Sequence, residues 1–180
     1  MKGKLASALQ YTKHFVTTGA ISETSREVEI EICNRLDLNG KVFVEFGMGL
    51  GNITKEILDR IPADTKLYSF EVNDDFCNKV KETIKDDRLI IINDGAENIR
   101  NHVSEEVDSM VSSMPFTFFS KEKTDLILGT SKEMLKSGGH FSQILYSKIH
   151  FKKFSAAWDD CEMIKTNNFP SGFIYHCSKH

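Results

Sequence analysis

Three glycines spaced two residues apart, Gly47, Gly49 and Gly51, follow Glu45 at the end of the apolar run Val42-Phe43-Val44-Glu45-Phe46, and Asn52-Ile53-Thr54 opens a helical pattern directly after them. Residues of this type and spacing do one kind of chemistry. Glycines let a ligand lie against bare backbone, and a helix N-terminus supplies free N–H groups to it. The apolar run is too short for a helix and reads as a strand buried on both faces, as in a parallel sheet. A Gly-x-Gly set between a strand and a helix is a much stronger signal than one without that context. It points to a nucleotide or nucleoside.

In a dinucleotide-binding unit the fingerprint is Gly-x-Gly-x-x-Gly, with a pyrophosphate on the helix N-terminus. Here the spacing is Gly-x-Gly-x-Gly, and Glu45 stands two positions before the first glycine. A carboxylate there would repel a pyrophosphate but can accept hydrogen bonds from an ammonium group. The pattern suits S-adenosylmethionine, a zwitterion with a sulfonium charge, better than NAD. Two further acids fit. Glu71 closes the second predicted strand, near the roughly 20-residue offset expected of an acid that binds ribose hydroxyls. Asp94 closes the third, where it can accept a hydrogen bond from the adenine amino group. The plainer reading of strand-end acids is that they are solvated caps, although an acid buried beside a glycine turn needs a partner.

The elements that must position these groups alternate. Strands are predicted over Val42 to Phe46, Lys66 to Val72, Leu89 to Ile92, Val107 to Ser113 and His140 to Ser147, with helices over Ile53 to Ile61, Asp75 to Lys85 and Ser120 to Leu135. The last helix is expected to stop at Lys136-Ser137-Gly138-Gly139. Two more strands, Cys161 to Thr166 and Gly172 to Ser178, lie too close together for a helical crossover, so one of them should run antiparallel. The fold class is therefore α/β: a doubly wound, mostly parallel, seven-stranded Rossmann-like sheet with an antiparallel C-terminal strand. Residues 1–180 read as one domain, with an N-terminal helical segment over 1–36 and the core over 41–180.

A chain of 180 residues can bury about 70% of its unfolded surface. With 23 basic and 26 acidic side chains the formal charge is −3, which disfavours bulk nucleic-acid binding. Cys33, Cys77, Cys161 and Cys177 contain no Cys-x-x-Cys pair. They read as reduced, mostly buried thiols of a cytosolic protein, and no metal site is expected. No run approaches the roughly 20 apolar residues of a transmembrane helix, and Met1 to Ala20 lacks the continuous apolar centre of a secretory signal.

Glu45-Phe-Gly-Met-Gly-Leu-Gly51, Phe70-Glu71-Val72-Asn73 and Asn93-Asp94-Gly95 resemble the first three cofactor motifs of class I S-adenosylmethionine-dependent methyltransferases. Further segments resemble the bacterial phospholipid N-methyltransferases, distant relatives of the ribosomal RNA adenine dimethylases. They are Thr18-Gly19-Ala20-Ile21-Ser22-Glu23-Thr24-Ser25-Arg26, Ser112-Ser113-Met114-Pro115-Phe116, Gln143 to Ser147, and Asn168 to Tyr175. The resemblance covers nearly the whole chain. It implies a cofactor site drawn from Gly19, Ala20, Glu45, Gly47, Gly49, Gly51, Asn52, Glu71, Val72, Asp94, Gly95 and Ala96. It also implies methylation of the amine head group of phosphatidylethanolamine-type lipids. Glu23 stands where that family usually has Pro. Ser113 stands where amino-methylating relatives often have Asn or Asp, and a Ser hydroxyl is the weaker acceptor.

Methyl transfer to nitrogen is an in-line displacement, so a protein mainly positions two reactants and excludes water. The nitrogen must present a lone pair, yet an amine with a lysine-like pKa is less than about 0.1% neutral at pH 7. Ser113, the Met114-Pro115 backbone, Phe116 and Tyr146, all expected at strand C-termini, are the candidates to surround it. A lipid substrate also requires a membrane-facing surface. Met1 to Val16 carries Lys2, Lys4 and Lys13 and no acid, with Leu5, Leu9, Thr12 and Val16 at i, i+4 spacing. Tyr146 to Trp158 is likewise basic and aromatic without an acid before Asp159. Both suit an anionic or zwitterionic membrane surface, and imply a cytoplasmic protein peripheral to the inner membrane face. An RNA adenine N6-methyltransferase, a methyltransferase of soluble amines and a cofactor-binding protein without turnover remain alternatives.

Overall fold

The computed structural model describes residues 25–167 and 171–180. Helix α1 (Arg26–Ile32) precedes β1 (Val42–Phe46), α2 (Asn52–Arg60), β2 (Lys66–Phe70), α3 (Asp74–Thr83), β3 (Leu89–Ile92) and a 3-10 turn over Ala96–Asn101. Then come β4 (Val107–Ser112), a 3-10 turn over Phe116–Phe118, α4 (Lys121–Met134), β5 (Leu135–Leu145) and α5 (Phe151–Ala157). The hairpin strands β6 (Asp160–Lys165) and β7 (Phe173–Ser178) close the chain.

The seven strands form one sheet in the order β3-β2-β1-β4-β5-β7-β6. All neighbours are parallel except that β7 runs antiparallel to both β5 and β6. Period-2 alternation divides the core between the two faces. Phe43, Leu67, Val111, Ile144 and Ile174 pack under α1 and α2 with Val28, Ile32, Ile53 and Ile57. Val44, Phe46, Phe70, Met110, Phe141 and Tyr175 pack under the 3-10 turn, α4 and α5 with Ile99, Ile127, Leu128 and Phe154. The expected doubly wound α/β sheet is present, with its antiparallel C-terminal strand.

Two expectations are corrected. The Gly138-Gly139 pair does not separate α4 from the fifth strand. β5 begins at Leu135, directly after the helix, and the glycines lie within it. Pairing jumps from Val107↔Leu135 to Ser109↔His140. The extra residues bulge out, Gly138 takes φ +79°, and its N–H bonds the Lys179 carbonyl at 2.6 Å. A bulge of this kind is where a strand tolerates glycine. Nor are all four cysteines thiols. The antiparallel β6–β7 register sets Cys161 opposite Cys177, with Cα atoms 4.0 Å apart, and the two form a disulfide. Cys33 and Cys77 are free and buried.

One buried acid fixes where β1 starts. The Asp108 Oδ2 accepts the backbone N–H groups of Lys41 and Val42 at 2.7 and 2.8 Å, and its Oδ1 accepts the Lys136 ammonium at 2.6 Å. Burial alone would raise this carboxyl, but the Lys136 ammonium and the two amides outweigh it and hold it below the usual range. Leaving buried donors unpaired costs about 1–3 kcal/mol each. Asp108→Ala should lower the unfolding free energy in a urea titration by about 2–4 kcal/mol. A loss under about 1 kcal/mol would contradict this anchoring role.

Candidate active site

The strand order reverses between β1 and β4, and ligands of open α/β sheets bind beyond the strand C-termini at such a switch point. The glycine turn sits there. Gly47, Gly49 and Gly51 have φ of +80°, +55° and +85°, values that glycine alone adopts freely. The Gly47 and Met48 N–H groups both reach the Phe70 carbonyl, at 2.9 and 3.1 Å. Gly51 caps α2 in the left-handed conformation and leaves its first turn without a side-chain cap. The starts of α3 and α4, by contrast, are capped by Asn73 and Ser120.

The three glycines differ in what their missing Cβ would meet. At Gly51 it would lie 2.9 Å from Ile84 Cδ1, and at Gly47 3.1 Å from Ser113 Oγ. At Gly49 nothing lies within 4 Å. Packing explains the first two. Gly49 borders open space over the loop, as a site for an extended ligand requires. Two surface recesses, about 360 Å³ beside Ile84, Leu89 and Ile91 and about 460 Å³ between Lys121 and Lys153, are not lined by any of the three glycines.

The three predicted acids converge on the same sheet end with different partners. The Glu71 Oε2 accepts the Gly49 N–H at 3.0 Å and its Oε1 accepts the Asn73 N–H at 2.9 Å. Burial raises this carboxyl, against the pull of those amides. Each oxygen keeps a lone pair, enough for a pair of hydroxyls. Asp94 accepts Gly95 N–H and Asn98 Nδ2 on Oδ1, both at 2.7 Å, and meets His102 Nε2 at 2.8 Å on Oδ2. Burial would raise Asp94, but these donors and the His102 charge hold it low. Glu45 turns under α2, where its Oε2 accepts Thr54 Oγ1 at 2.8 Å and Ser69 Oγ at 2.7 Å. Its Oε1 is buried with no partner among the described residues. Burial, opposed by Ser69 and Thr54 and aided by the Glu71 charge, pushes the Glu45 carboxyl up to about 7. A buried orphan oxygen on an acid beside the glycine turn fits a ligand that brings a cation.

The acceptor-side candidates are brought to the ends of β4 and β5. The Ser113 N–H bonds the Phe46 carbonyl at 2.9 Å, and its hydroxyl donates to the Gly47 carbonyl at 2.6 Å. The hydroxyl proton is thus committed, and the oxygen lone pairs are left as acceptors. The Met114 carbonyl accepts both Phe116 N–H and Gln143 Nε2 at 2.9 Å, so the backbone oxygen expected to face the amine is already saturated. Phe116 is 1% exposed and packs edge-on against Phe119 and Phe154 with centroids 5.4 and 5.3 Å apart. Its ring is spent on the core. Pro115 is exposed beside it. Tyr146 leaves the end of β5 with its side chain 55% exposed.

The basic, aromatic segment divides as well. Phe154 and Trp158 turn inward, Trp158 stacking on Phe141 at 5.2 Å, because α5 packs on the sheet. Tyr146 and Ile149 stay outside. Of the remaining predicted cofactor residues, Asn52 opens α2, Gly95 caps the 3-10 turn, Ala96 is buried and Val72 is exposed. Gly19, Ala20 and the Met1 to Val16 helix lie outside the described residues, as does Asn168 to Pro170. Spacing missed Gln143, His102, Thr54 and Ser69. Gln143, Thr54 and Ser69 are polar side chains in runs otherwise buried, whereas His102 is exposed in a polar stretch and gave no such signal. Among the described residues no group of three His, Cys, Asp or Glu could hold a metal ion.

The Glu45 environment predicts a pH dependence. The folded state holds this proton more tightly than the unfolded chain, whose carboxyl titrates near 4.5. The resulting stabilisation is complete below about pH 4.5 and is lost as pH rises through about 7. Relative to wild type, Glu45→Gln should therefore gain up to about 3 kcal/mol of stability across that window. Denaturant melts that give a pH-independent difference would contradict the burial of an ionisable Glu45.

No protein-family profile matches the chain. An ornithine lipid N-methyltransferase from Singulisphaera acidiphila is 27% identical over 146 residues, 77% of this chain and 76% of that protein. Ribosomal RNA small subunit methyltransferase A from Pelagibacter ubique is 32% identical over 117 residues, which span 64% of this chain but only 41% of its own length. The N-methyltransferase NodS from Bradyrhizobium japonicum, solved with S-adenosyl-L-homocysteine, superposes with a TM-score of 0.73 at 12% identity over 88% of this chain and 89% of that one. Sheet order, glycine turn and relatives agree: the chain has the fold of the class I S-adenosylmethionine-dependent methyltransferases and is similar in sequence to methyltransferases.

Proposed function

We propose that this enzyme methylates the primary amine of a membrane lipid head group of the phosphatidylethanolamine type. The observation that carries the reading is the rim of the strand ends. Phe118, Tyr146 and Ile149 are 50%, 55% and 75% exposed there, beside exposed Lys148 and Lys152. Exposed apolar side chains framed by lysines suit an anionic bilayer surface. The lipid substrate named for the Singulisphaera relative supports the same class of acceptor. No helix among the described residues is long and apolar enough to cross a membrane.

Bound over the glycine turn, S-adenosylmethionine supplies a sulfonium methyl group. The free lone pairs of Glu71 hold the ribose hydroxyls, and Asp94 holds the adenine amine. Glu45 lies close enough to the turn to favour a positively charged ligand. Ser113 couples the two halves of the site. Its proton is committed to Gly47, so its oxygen accepts an N–H from the amine and aligns the nitrogen with the methyl group. Burial raises the half-exposed Tyr146 phenol above its ordinary range. It therefore stays protonated at neutral pH and acts as a hydrogen-bond partner, not a base. The apolar rim strips water from the ammonium and favours its neutral form.

The enzyme incubated with methyl-labelled S-adenosylmethionine and liposomes containing phosphatidylethanolamine should yield labelled lipid. A parallel arm with an ornithine lipid separates the two amines, and an arm with ribosomal RNA tests the alternative raised by the Pelagibacter relative. Label appearing only in RNA, or in no lipid, would overturn the proposal. Tyr146→Phe should lower kcat about tenfold or more with the cofactor KM unchanged. Unaltered turnover would remove Tyr146 from the site.

A further inference from the structure

Asp94 follows the end of β3, and the chain itself uses most of its capacity to accept hydrogen bonds. An ionised carboxylate offers about four lone-pair positions. Gly95 N–H and Asn98 Nδ2 take two on Oδ1, and His102 Nε2 takes one on Oδ2 at 2.8 Å. The histidine must donate here, because a carboxylate only accepts. One position, on Oδ2, is left for a ligand. His102 is itself held in place. Its backbone N–H bonds the Ile99 carbonyl at 3.0 Å and closes the 3-10 turn. Its ring meets Phe70 edge-on with centroids 5.7 Å apart. Phe70 is a core residue at the end of β2, one position before Glu71, so the proposed ribose and adenine acids share a wall.

We propose that His102 is a positioning residue for base specificity: by occupying one lone pair of Asp94 Oδ2 it aims the other at the purine 6-position and makes the site select a 6-amino over a 6-oxo base. This rests on the reading that an adenosyl cofactor lies over the strand ends, and it extends that reading to a residue that need not touch the cofactor. A 6-amino group donates to the free lone pair. A 6-oxo group places an acceptor against an acceptor and leaves the carboxylate unpaired, which is where large discrimination arises. Without His102, the side of Asp94 that faces the ligand loses its tether and can turn to water.

Calorimetric titration with S-adenosylhomocysteine and its deaminated analogue S-inosylhomocysteine tests the assignment, on wild type and two variants. His102→Phe keeps a ring against Phe70 and removes the donor. His102→Gln keeps an N–H at similar reach and removes the ring. Wild type should prefer the adenosyl ligand by about 10- to 100-fold. His102→Phe should lose most of that preference, mainly through about tenfold weaker adenosyl binding, and His102→Gln should retain it. Full preference in His102→Phe, or its loss in His102→Gln, would mean that the ring only packs, and would overturn the proposal. If wild type binds both ligands equally, the Asp94 contact fails and the cofactor site stands. If it binds neither, the cofactor reading itself fails.

Discussion

The carboxylate of Glu71 joins two loops that belong to different strands. One oxygen holds the Gly49 amide of the turn after β1, and the other holds the Asn73 amide that leads into α3. Neither loop has regular structure to hold it at that point. The turn can approach the acid only because its backbone runs through three left-handed residues, each a glycine. From this bridge the rest of the sheet end follows. The glycine turn is drawn toward β2, α2 starts without a side-chain cap, and the Gly47 carbonyl is presented to Ser113. The residues proposed to hold the cofactor and those proposed to face the acceptor are thereby tied through one short stretch of backbone.

Two buried acids put opposite demands on that frame. Asp108 sits at the amino end of β1 and β4, is surrounded by donors and stays ionised. Glu45 sits near the carboxyl end of the same strand, receives two hydroxyl donors and leaves one oxygen unpaired. The first acid is satisfied and serves the fold. The second carries a desolvation cost that a bound cation would relieve. Strain of this kind kept at one end of a strand is common where a protein must bind something.

The strands were the most legible part of the chain. Val42–Phe46 and Leu89–Ile92 begin and end as their apolar runs do, the first fully buried and the second a half-buried edge strand. The glycine spacing led to the cofactor for the same local reason. What escaped reading depends on partners distant in sequence. The bulge that absorbs Gly138 and Gly139 is set by pairing with β4 and Lys179. The Cys161–Cys177 pair is set by hairpin register, and the inward turn of Phe116 by Phe154, far along the chain. Gln143 bonds Met114, 29 residues away. No spacing rule carries such contacts.

The adenosyl cofactor is proposed to fill the space over Gly49. Gly49→Asn probes that space, since Asn tolerates the left-handed conformation and its Cβ meets no protein atom within 4 Å. Titration with S-adenosylhomocysteine should show binding weakened by about tenfold or more while the thermal midpoint moves by no more than a few degrees. Wild-type affinity in a folded Gly49→Asn protein would contradict the account.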